Sequence, residues 1–206
     1  MTITPQDVER AFRTAGALRD GHFVLASGRH SAQYIEKFRL LERPRETERL
    51  CAAIASWARA LDVATVAGPT TGGVILAYEV ARQLGVRAVY AERREDGVGR
   101  ELRRGFTLTP GERVLVVDDV MTTGGSLQET IAAISGAGGT VAGAAVLVDR
   151  SGAASSNVPV HALWRVDIAT YAPSECPLCA AGMPATHPGT GGAGGSGPRE
   201  RRVEVA

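Results

Sequence analysis

The chain alternates between short apolar runs and longer segments in which apolar residues recur at helical spacing. Residues 114–117 are all aliphatic, with no polar position between them, which is typical of a strand buried on both faces of a parallel sheet. Leu127, Ile131 and Ile134 then recur at helical spacing until a glycine-rich stretch ends the pattern. This region therefore predicts a central strand, a turn and a helix.

The same alternation continues on both sides of the central strand. Strands are predicted at residues 63–67, 86–91, 141–148 and 160–166, and helices at residues 45–61 and 74–84. The last of these strands is expected at an edge of the sheet. Strands that alternate with helices favour a right-handed parallel sheet of the α/β class.

Two segments precede this pattern and one follows it. Residues 4–7 have the capping residues of a helix start, and residues 21–41 read as two extended runs around a Ser-Gly-Arg turn. The glycine-rich and charged end of the chain is expected to be a flexible tail. We therefore predict one folded domain at residues 1–185, with a small N-terminal unit at about 1–41 and a tail at 186–206.

Composition narrows the classes of protein. With 206 residues of which 44% are hydrophobic, the chain can build a core without metals or disulfides. A net charge of +1 argues against nucleic acid as the main partner. No apolar run approaches the ~20 residues of a membrane span, and no signal peptide is recognisable. Three cysteines do not form a disulfide framework, so the cytoplasm is the expected compartment.

Polar chemistry is concentrated where the central strand meets its helix. A strand, a glycine-rich turn and a helix expose backbone N–H groups and the positive end of a helix dipole, which together bind phosphate. Asp118 and Asp119 would repel a bare phosphate, so they are expected to accept hydrogen bonds from vicinal hydroxyls or to help hold hydrated Mg²⁺. A sugar phosphate satisfies both demands. An acidic strand end followed by a simple helix cap is the alternative.

This turn carries a family resemblance. Residues 116–126, Val-Val-Asp-Asp-Val-Met-Thr-Thr-Gly-Gly-Ser, resemble the phosphoribosyl-pyrophosphate (PRPP) signature of type I phosphoribosyltransferases. Residues 21–41 resemble the N-terminal hood of orotate phosphoribosyltransferases, in which Ser-Gly is followed shortly by Ser and an aromatic residue. The resemblance implies a parallel-sheet type I phosphoribosyltransferase fold with helices on both faces and a small hood.

The implied reaction is the Mg²⁺-dependent transfer of ribosyl 5-phosphate from PRPP to orotate in pyrimidine (UMP) biosynthesis, which forms orotidine 5′-monophosphate and pyrophosphate. A homodimer is implied as well. Asp118 and Asp119 match the acids that hold the ribose hydroxyls, with Mg²⁺ held mainly through the substrate. In the family, a loop wraps the 5′-phosphate of PRPP. The residues of this chain that match it are Val120, Met121, Thr122, Thr123, Gly124, Gly125 and Ser126. Contacts with orotate match Thr122, Arg150, Tyr34 and Ile35. An ion pair between Arg150 and Asp149 is the alternative role for that arginine.

Two further segments match segments of the family that contact the pyrophosphate group of PRPP. Thr71 and Gly72 lie in the turn after the strand predicted at 63–67, where an ordinary tight turn is the alternative. The segment 92–105 matches a mobile lid, in which Arg93 and Arg94 form the opening basic pair and Arg100, Arg103 and Arg104 are further candidates. A solvated hairpin would look similar, but a pyrophosphate leaving group needs cations. Many members carry lysine where this chain has Ala26 and Gly72.

The three cysteines lie in two different sequence contexts. Cys51 lies beside a helical apolar stripe and is expected to be an inert core thiol. Cys176-Pro-Leu-Cys179 leaves a metal or redox role open, but a zinc site needs two more ligands and His187 alone is a poor candidate. The rival functions are a phosphoribosyltransferase for a purine or uracil, and a non-catalytic PRPP-binding regulator. Arg150 argues against the first, and the absence of a basic face argues against the second.

Overall fold

A computed structural model describes residues 3–152 and 157–188. Its α-helices are α1 (Pro5–Thr14), α2 (Phe38–Leu41), α3 (Pro44–Ala58), α4 (Gly72–Leu84), α5 (Gly125–Gly136) and α6 (Pro177–Ala180), with 3₁₀ turns at Arg59–Leu61 and Pro173–Glu175. Its strands are β1 (Leu18–Val24), β2 (His30–Ile35), β3 (Thr65–Pro69), β4 (Arg87–Arg93), β5 (Arg100–Leu102), β6 (Arg113–Met121), β7 (Thr140–Asp149), β8 (Val160–Arg165) and β9 (Thr170–Tyr171).

The larger sheet has six strands in the order β5-β4-β3-β6-β7-β8. All neighbouring strands are parallel except β5, which pairs antiparallel with β4. Each strand predicted from an apolar run is present, and β8 lies at an edge as expected. The central strand β6 is longer than the apolar run, because it continues through Asp118 and Asp119 to Met121. Both acids therefore lie within β6, near its carboxyl end.

Both faces of this sheet are covered, which explains the unbroken aliphatic run in β6. Leu115 and Val117 belong to one apolar cluster, together with buried residues of α1, α3 and α4. Val114 and Val116 belong to a second cluster, which is completed by residues of α5. Side chains alternate across a strand, so every position of the run is buried on one face or the other. The predicted α/β class, with helices on both faces of a mostly parallel sheet, is confirmed.

The first helix begins as its sequence predicts. The Thr4 hydroxyl accepts a hydrogen bond from the Asp7 backbone N–H at 3.2 Å, and the Asp7 carboxylate accepts one from the Thr4 backbone N–H at 3.1 Å. Pro5 occupies the first helical position. The capping box satisfies donors that have no partner inside the helix.

A second sheet, of three strands in the order β1-β2-β9, forms the hood. β1 and β2 are extended as predicted and are joined by a turn in which Gly28 has φ of +76°. The prediction is wrong for the end of the second run, because Phe38–Leu41 form the short helix α2, which buries Leu40 and Leu41. The third strand comes from the far end of the chain, and Thr186 forms an isolated bridge with Phe23. Residues 186–188 of the predicted flexible tail are described, and Thr186 is joined to β1 by backbone hydrogen bonds. From residue 189 onward, the predicted tail lies outside the described residues. Within the described part of the chain, no helix has the length and apolar character of a membrane span.

Candidate active site

The predicted phosphate loop lies between β6 and α5. Gly124 precedes the helix with φ of +80°, a left-handed conformation that suits glycine. Asp118 and residues 120–127 line a small cavity of about 40 Å³ at this point. The backbone N–H groups of the first turn of α5 have no helical acceptor, so this end of the helix favours an anion.

The two signature acids are buried at the floor of this site. Asp118 is 6% exposed and Asp119 is 2% exposed. The backbone N–H of Asp119 donates to Asp118 Oδ1 at 2.8 Å, and that of Val120 donates to Asp119 Oδ1 at 2.7 Å. Burial, with the neighbouring Asp119 charge as the second cause, raises the pKa of Asp118 to about 6. A carboxylate held in this way is a ready acceptor for hydroxyl groups.

Lys37 is a site residue that the sequence interpretation missed. Its Nζ donates to Asp119 Oδ1 at 2.8 Å and lies 2.8 Å from Asp119 Oδ2. Lys37 follows β2, so this ion pair joins the hood to the signature strand. One signal was available, because Lys37 is the only lysine among the 23 basic residues of the chain. Nothing in its local sequence indicates its partner, which lies 82 residues further on.

The turn between β3 and α4 lies beside these acids. A Cβ on Gly72 would collide with Asp119 Oδ2, so the turn predicted for pyrophosphate and the signature acids are in contact. The Thr70–Thr71 peptide is cis. Thr70, Thr71 and Arg93 line an open cavity of about 570 Å³ on the outer side of the turn.

Close approach of the backbone also requires glycine at the base of this turn. A Cβ on Gly68 would collide with the Gly73 carbonyl oxygen, and a Cβ on Gly73 would lie 2.5 Å from Pro69 Cδ. We expect Gly68→Ala to lower the free energy of unfolding by about 1–3 kcal/mol, measured by urea denaturation. Gly136→Ala in α5 is the control, because nothing lies within 4 Å of its added Cβ. Equal stability of the two variants would contradict the close approach.

The predicted lid is a β-hairpin whose arms are β4 and β5. Arg100 Nη1 donates to Thr70 Oγ1 at 3.1 Å and to the Ala91 carbonyl at 3.2 Å, and Arg100 Nε lies 3.3 Å from Glu129 Oε2. Arg100 is therefore buried, and it supports the turn between β3 and α4 through Thr70. Within the described residues, Arg93 has no ion pair.

The other lid arginines contact acids of the same hairpin. Arg103 pairs with Glu95 at 2.7 Å and Arg104 with Glu92 at 2.8 Å, while Arg94 lies 3.8 Å from Asp96. Exposed ion pairs of this kind contribute little to stability. They can therefore be exchanged for contacts with a phosphate group at small cost.

Arg150 lies next to the loop, as its predicted role requires. Its backbone N–H donates to the Met121 carbonyl at 2.9 Å, and its half-buried side chain has no ion pair among the described residues. The alternative pair with Asp149 is not formed, because Asp149 accepts from the Ser151 hydroxyl at 2.6 Å and lies 3.4 Å from Arg165. Burial lowers the pKa of Arg150. A partly desolvated cation of this kind favours an anionic ligand.

The two hood candidates are placed differently from each other. Tyr34 is half-buried, its ring centroid lies 5.6 Å from that of Phe23, and burial raises the pKa of its phenol. Ile35 is buried in the apolar cluster of α1, α3 and α4. The Tyr34 side chain is therefore accessible to a ligand, whereas that of Ile35 packs in the core.

The elements that form this site match a known protein family. The family described as "Phosphoribosyl transferase domain" matches residues 41–167, which include β3, the signature strand, the loop and Arg150. The chain belongs to this phosphoribosyltransferase family.

Individual relatives extend the match over most of the phosphoribosyltransferase. An orotate phosphoribosyltransferase of Pelotomaculum thermopropionicum is 49% identical over 91% of this chain and 98% of its own length. One of Desulforamulus reducens is 47% identical over 90% of this chain and 96% of its own. The crystal structure of orotate phosphoribosyltransferase from Aeropyrum pernix has a TM-score of 0.67 and 30% identity, and covers 77% of this chain and 93% of that one. The resemblance stated from the sequence is confirmed.

The buried carboxyl of Asp118 should make the stability of this phosphoribosyltransferase depend on pH. Its folded-state pKa of about 6 exceeds the ordinary 3.8, so the folded chain binds this proton more tightly than the unfolded chain. The resulting stabilisation is complete below about pH 4 and is lost as the pH rises through about 6. For this group alone, the free energy of unfolding should fall by on the order of 2–3 kcal/mol across that window.

The measurement is urea denaturation of the wild type and of Asp118→Asn at pH 4, 5, 6 and 7. Carboxylates with lowered pKa, such as Glu79 and Glu112, change stability in the opposite direction, but they are common to both proteins. The difference between the two curves reports the titration of Asp118 together with its interaction with the Asp119 charge. Parallel curves would show that Asp118 is not a buried charge at neutral pH.

Proposed function

We propose that this phosphoribosyltransferase transfers the ribosyl 5-phosphate group of PRPP to a ring nitrogen of orotate, forming orotidine 5′-monophosphate and releasing pyrophosphate in pyrimidine biosynthesis. The observation that carries the choice of orotate is Arg150. It is a partly buried cation beside the phosphate loop, and within the described residues no acid neutralises it. The names of the full-length relatives support the same choice.

PRPP would bind with its 5′-phosphate at the start of α5. The backbone N–H groups and the hydroxyls of Thr122, Thr123 and Ser126 supply donors there. Asp118 and Asp119 would accept hydrogen bonds from the two ribose hydroxyls. The pyrophosphate group would then extend toward Thr71 and the lid, where Arg93 is available.

Mg²⁺ is the cofactor that we propose, and the residues present fit it. Carboxylate oxygens are the ligands that Mg²⁺ prefers, and two carboxylates lie side by side at the floor of the site. Lys37 already compensates the charge of Asp119, so most oxygen ligands would come from PRPP and water, with Asp118 and Asp119 nearby. The bound ion would supply charge neutralisation of the pyrophosphate.

The chain's own contribution is mainly positioning and electrostatics. Cleavage of the anomeric C–O bond gives the sugar oxocarbenium character and places negative charge on the leaving pyrophosphate. Arginines of the lid would stabilise that charge and exclude water from the reactive sugar. As the new C–N bond forms, the ring nitrogen of orotate loses its proton, which the leaving pyrophosphate would accept, so no side chain is required as a general base.

The choice of base is tested by pyrophosphate release from PRPP with orotate, uracil or adenine at equal concentration. Uracil differs from orotate by the carboxylate alone. A charge-assisted pair of about 3 kcal/mol should therefore make orotate on the order of 100-fold more effective. Release that is as fast with adenine or uracil would favour the rival phosphoribosyltransferases, and a lack of release with all three would favour the non-catalytic regulator.

The lid is proposed to act across a homodimer, reaching the PRPP of the neighbouring subunit. We expect that mixing Asp118→Asn/Asp119→Asn subunits with subunits lacking the lid arginines restores up to about half the wild-type activity per heterodimer. One site then has both parts intact and the other has both damaged. The lid variant replaces Arg93, Arg94, Arg103 and Arg104 by alanine and keeps Arg100, because Arg100 is buried behind the turn.

Formation of heterodimers is checked by native mass spectrometry of the mixture. Mixtures that contain heterodimers yet stay as inactive as their parents would confine the lid to its own subunit.

The cytoplasm is the proposed compartment, because the three cysteines are not joined in disulfides.

A further inference from the structure

Four metal-binding side chains converge where the C-terminal segment, residues 172–188, crosses the hood. His22 lies on β1, His30 begins β2, and Cys176 and Cys179 flank the start of α6. One ligand atom from each of the four lies within 4.8 Å of all the others. In residues 3–152 and 157–188, this is the one group of three or more such side chains with converging ligand atoms. It shares no residue with the phosphate loop.

The spacing of these atoms suits one tetrahedral ion. Bond lengths of about 2.0 Å to nitrogen and 2.3 Å to sulfur require ligand atoms roughly 3.3–3.8 Å apart. His22 Nε2 lies 3.6 Å from Cys176 Sγ and 3.7 Å from Cys179 Sγ, and Cys179 Sγ lies 3.3 Å from His30 Nδ1. The two histidine nitrogens are 2.8 Å apart and would separate by about 0.5 Å around an ion.

The second nitrogen of His22 fixes its orientation. His22 Nδ1 lies 2.8 Å from the Met183 carbonyl oxygen, which can only accept a hydrogen bond, so Nδ1 carries the proton. The lone pair of Nε2 therefore points into the cluster. This arrangement, in which a ligating histidine donates its other N–H to a backbone carbonyl, is common around bound metals.

We propose that His22, His30, Cys176 and Cys179 bind one structural Zn²⁺ ion. Two imidazoles and two thiolates form the ligand set that zinc prefers, whereas Mg²⁺ requires oxygen. Four protein ligands close the coordination sphere and leave no position for substrate, so the ion serves the fold. The Cys-x-x-Cys motif provides two of the four ligands. The other two are histidines of the hood, which lie more than 140 residues away in the sequence.

The ion would hold the C-terminal segment against the hood. That segment has little regular structure of its own, because α6 has only four residues and a helix this short is unstable alone. Besides the contact between His22 and the Met183 carbonyl, it is joined to β1 through Thr186. The Thr186 backbone exchanges hydrogen bonds of 2.8 Å with His22 and Val24, and the Thr186 hydroxyl donates to the His22 carbonyl at 3.2 Å. The ion would also fix the start of β2, a strand after which Lys37 reaches Asp119.

The first test is the metal content of the full-length protein purified without chelators. We expect about one zinc per chain in the wild type, and less than about a tenth of that in Cys176→Ser and His30→Ala. The controls are Cys51→Ala and His187→Ala, which should keep the metal. Cys51 is fully buried in the core, where burial raises the pKa of its thiol to about 12.

The second test uses the wild type alone, so it does not depend on the folding of a variant. After zinc is removed by a chelator, Co²⁺ should produce thiolate-to-metal charge-transfer absorption and the strong visible bands of a tetrahedral site, both abolished by one equivalent of Zn²⁺. Added zinc should raise the thermal midpoint. The proposal would be overturned if protein purified from zinc-supplemented cells contained no zinc and gave no such absorption with Co²⁺. A Cys176–Cys179 disulfide in that protein would indicate a redox pair instead.

Discussion

Replacing Asp118 and Asp119 together by asparagine should abolish turnover while leaving the protein folded. Both carboxylates are almost fully buried at the carboxyl end of β6, and the raised pKa of Asp118 shows that its charge is costly there. Asparagine keeps an oxygen acceptor for the neighbouring backbone N–H groups but removes the charge that would hold the ribose hydroxyls. A buried carboxylate with a raised pKa at the carboxyl end of a parallel strand is a candidate for ligand binding.

The measurement pairs steady-state turnover with thermal unfolding. We expect activity to fall at least about 10³-fold, with a thermal midpoint close to that of the wild type at pH 7, because removal of the buried Asp118 charge offsets the loss of the Lys37–Asp119 ion pair. The matched control, Asp62→Asn/Asp167→Asn, removes two charges from exposed positions and should leave both quantities unchanged. A large fall in the midpoint of the Asp118→Asn/Asp119→Asn variant would assign these acids to the fold.

Arg150→Ala should weaken orotate binding on the order of 10²–10³-fold and leave PRPP binding nearly unchanged. A charge-assisted pair in a partly desolvated site contributes on the order of 2–5 kcal/mol when one partner is removed. In the proposed binding mode, PRPP contacts the loop and the signature acids, which this substitution does not alter.

Both affinities are measured by calorimetric titration of the purified variant. Arg165→Ala is the control, because Arg165 is an exposed arginine on the adjacent strand, paired with Asp149. It should leave orotate affinity intact. An equal loss of affinity for both ligands in Arg150→Ala would instead indicate that Arg150 supports the loop structurally.

The local parts of this account were predictable from the sequence, and the tertiary ones were not. The buried run 114–117 determines its own strand, and the glycines and hydroxyls after it determine the loop, because both depend on neighbouring residues. The pair of Lys37 and Asp119 depends on how the hood is placed over the sheet. Neither the sequence around Lys37 nor the sequence around Asp119 indicates that placement.

The same limit applies to Arg100 and to the histidines of the hood. Composition groups Arg100 with the lid arginines, but the antiparallel pairing of β4 and β5 turns its side chain toward Thr70 and Glu129. His22 and His30 become neighbours only because the hairpin register brings β1 and β2 together, and the cysteines reach them from the opposite end of the chain. Such convergence requires the folded structure.

The most direct test of the central claim is the conversion of orotate itself. Purified protein is incubated with PRPP, Mg²⁺ and orotate, the loss of orotate absorbance is followed, and the product is identified by mass spectrometry. We expect orotate to be consumed with one pyrophosphate released per product, and orotidine 5′-monophosphate to be the product. Folded protein that binds PRPP but leaves orotate unchanged would contradict the proposed function.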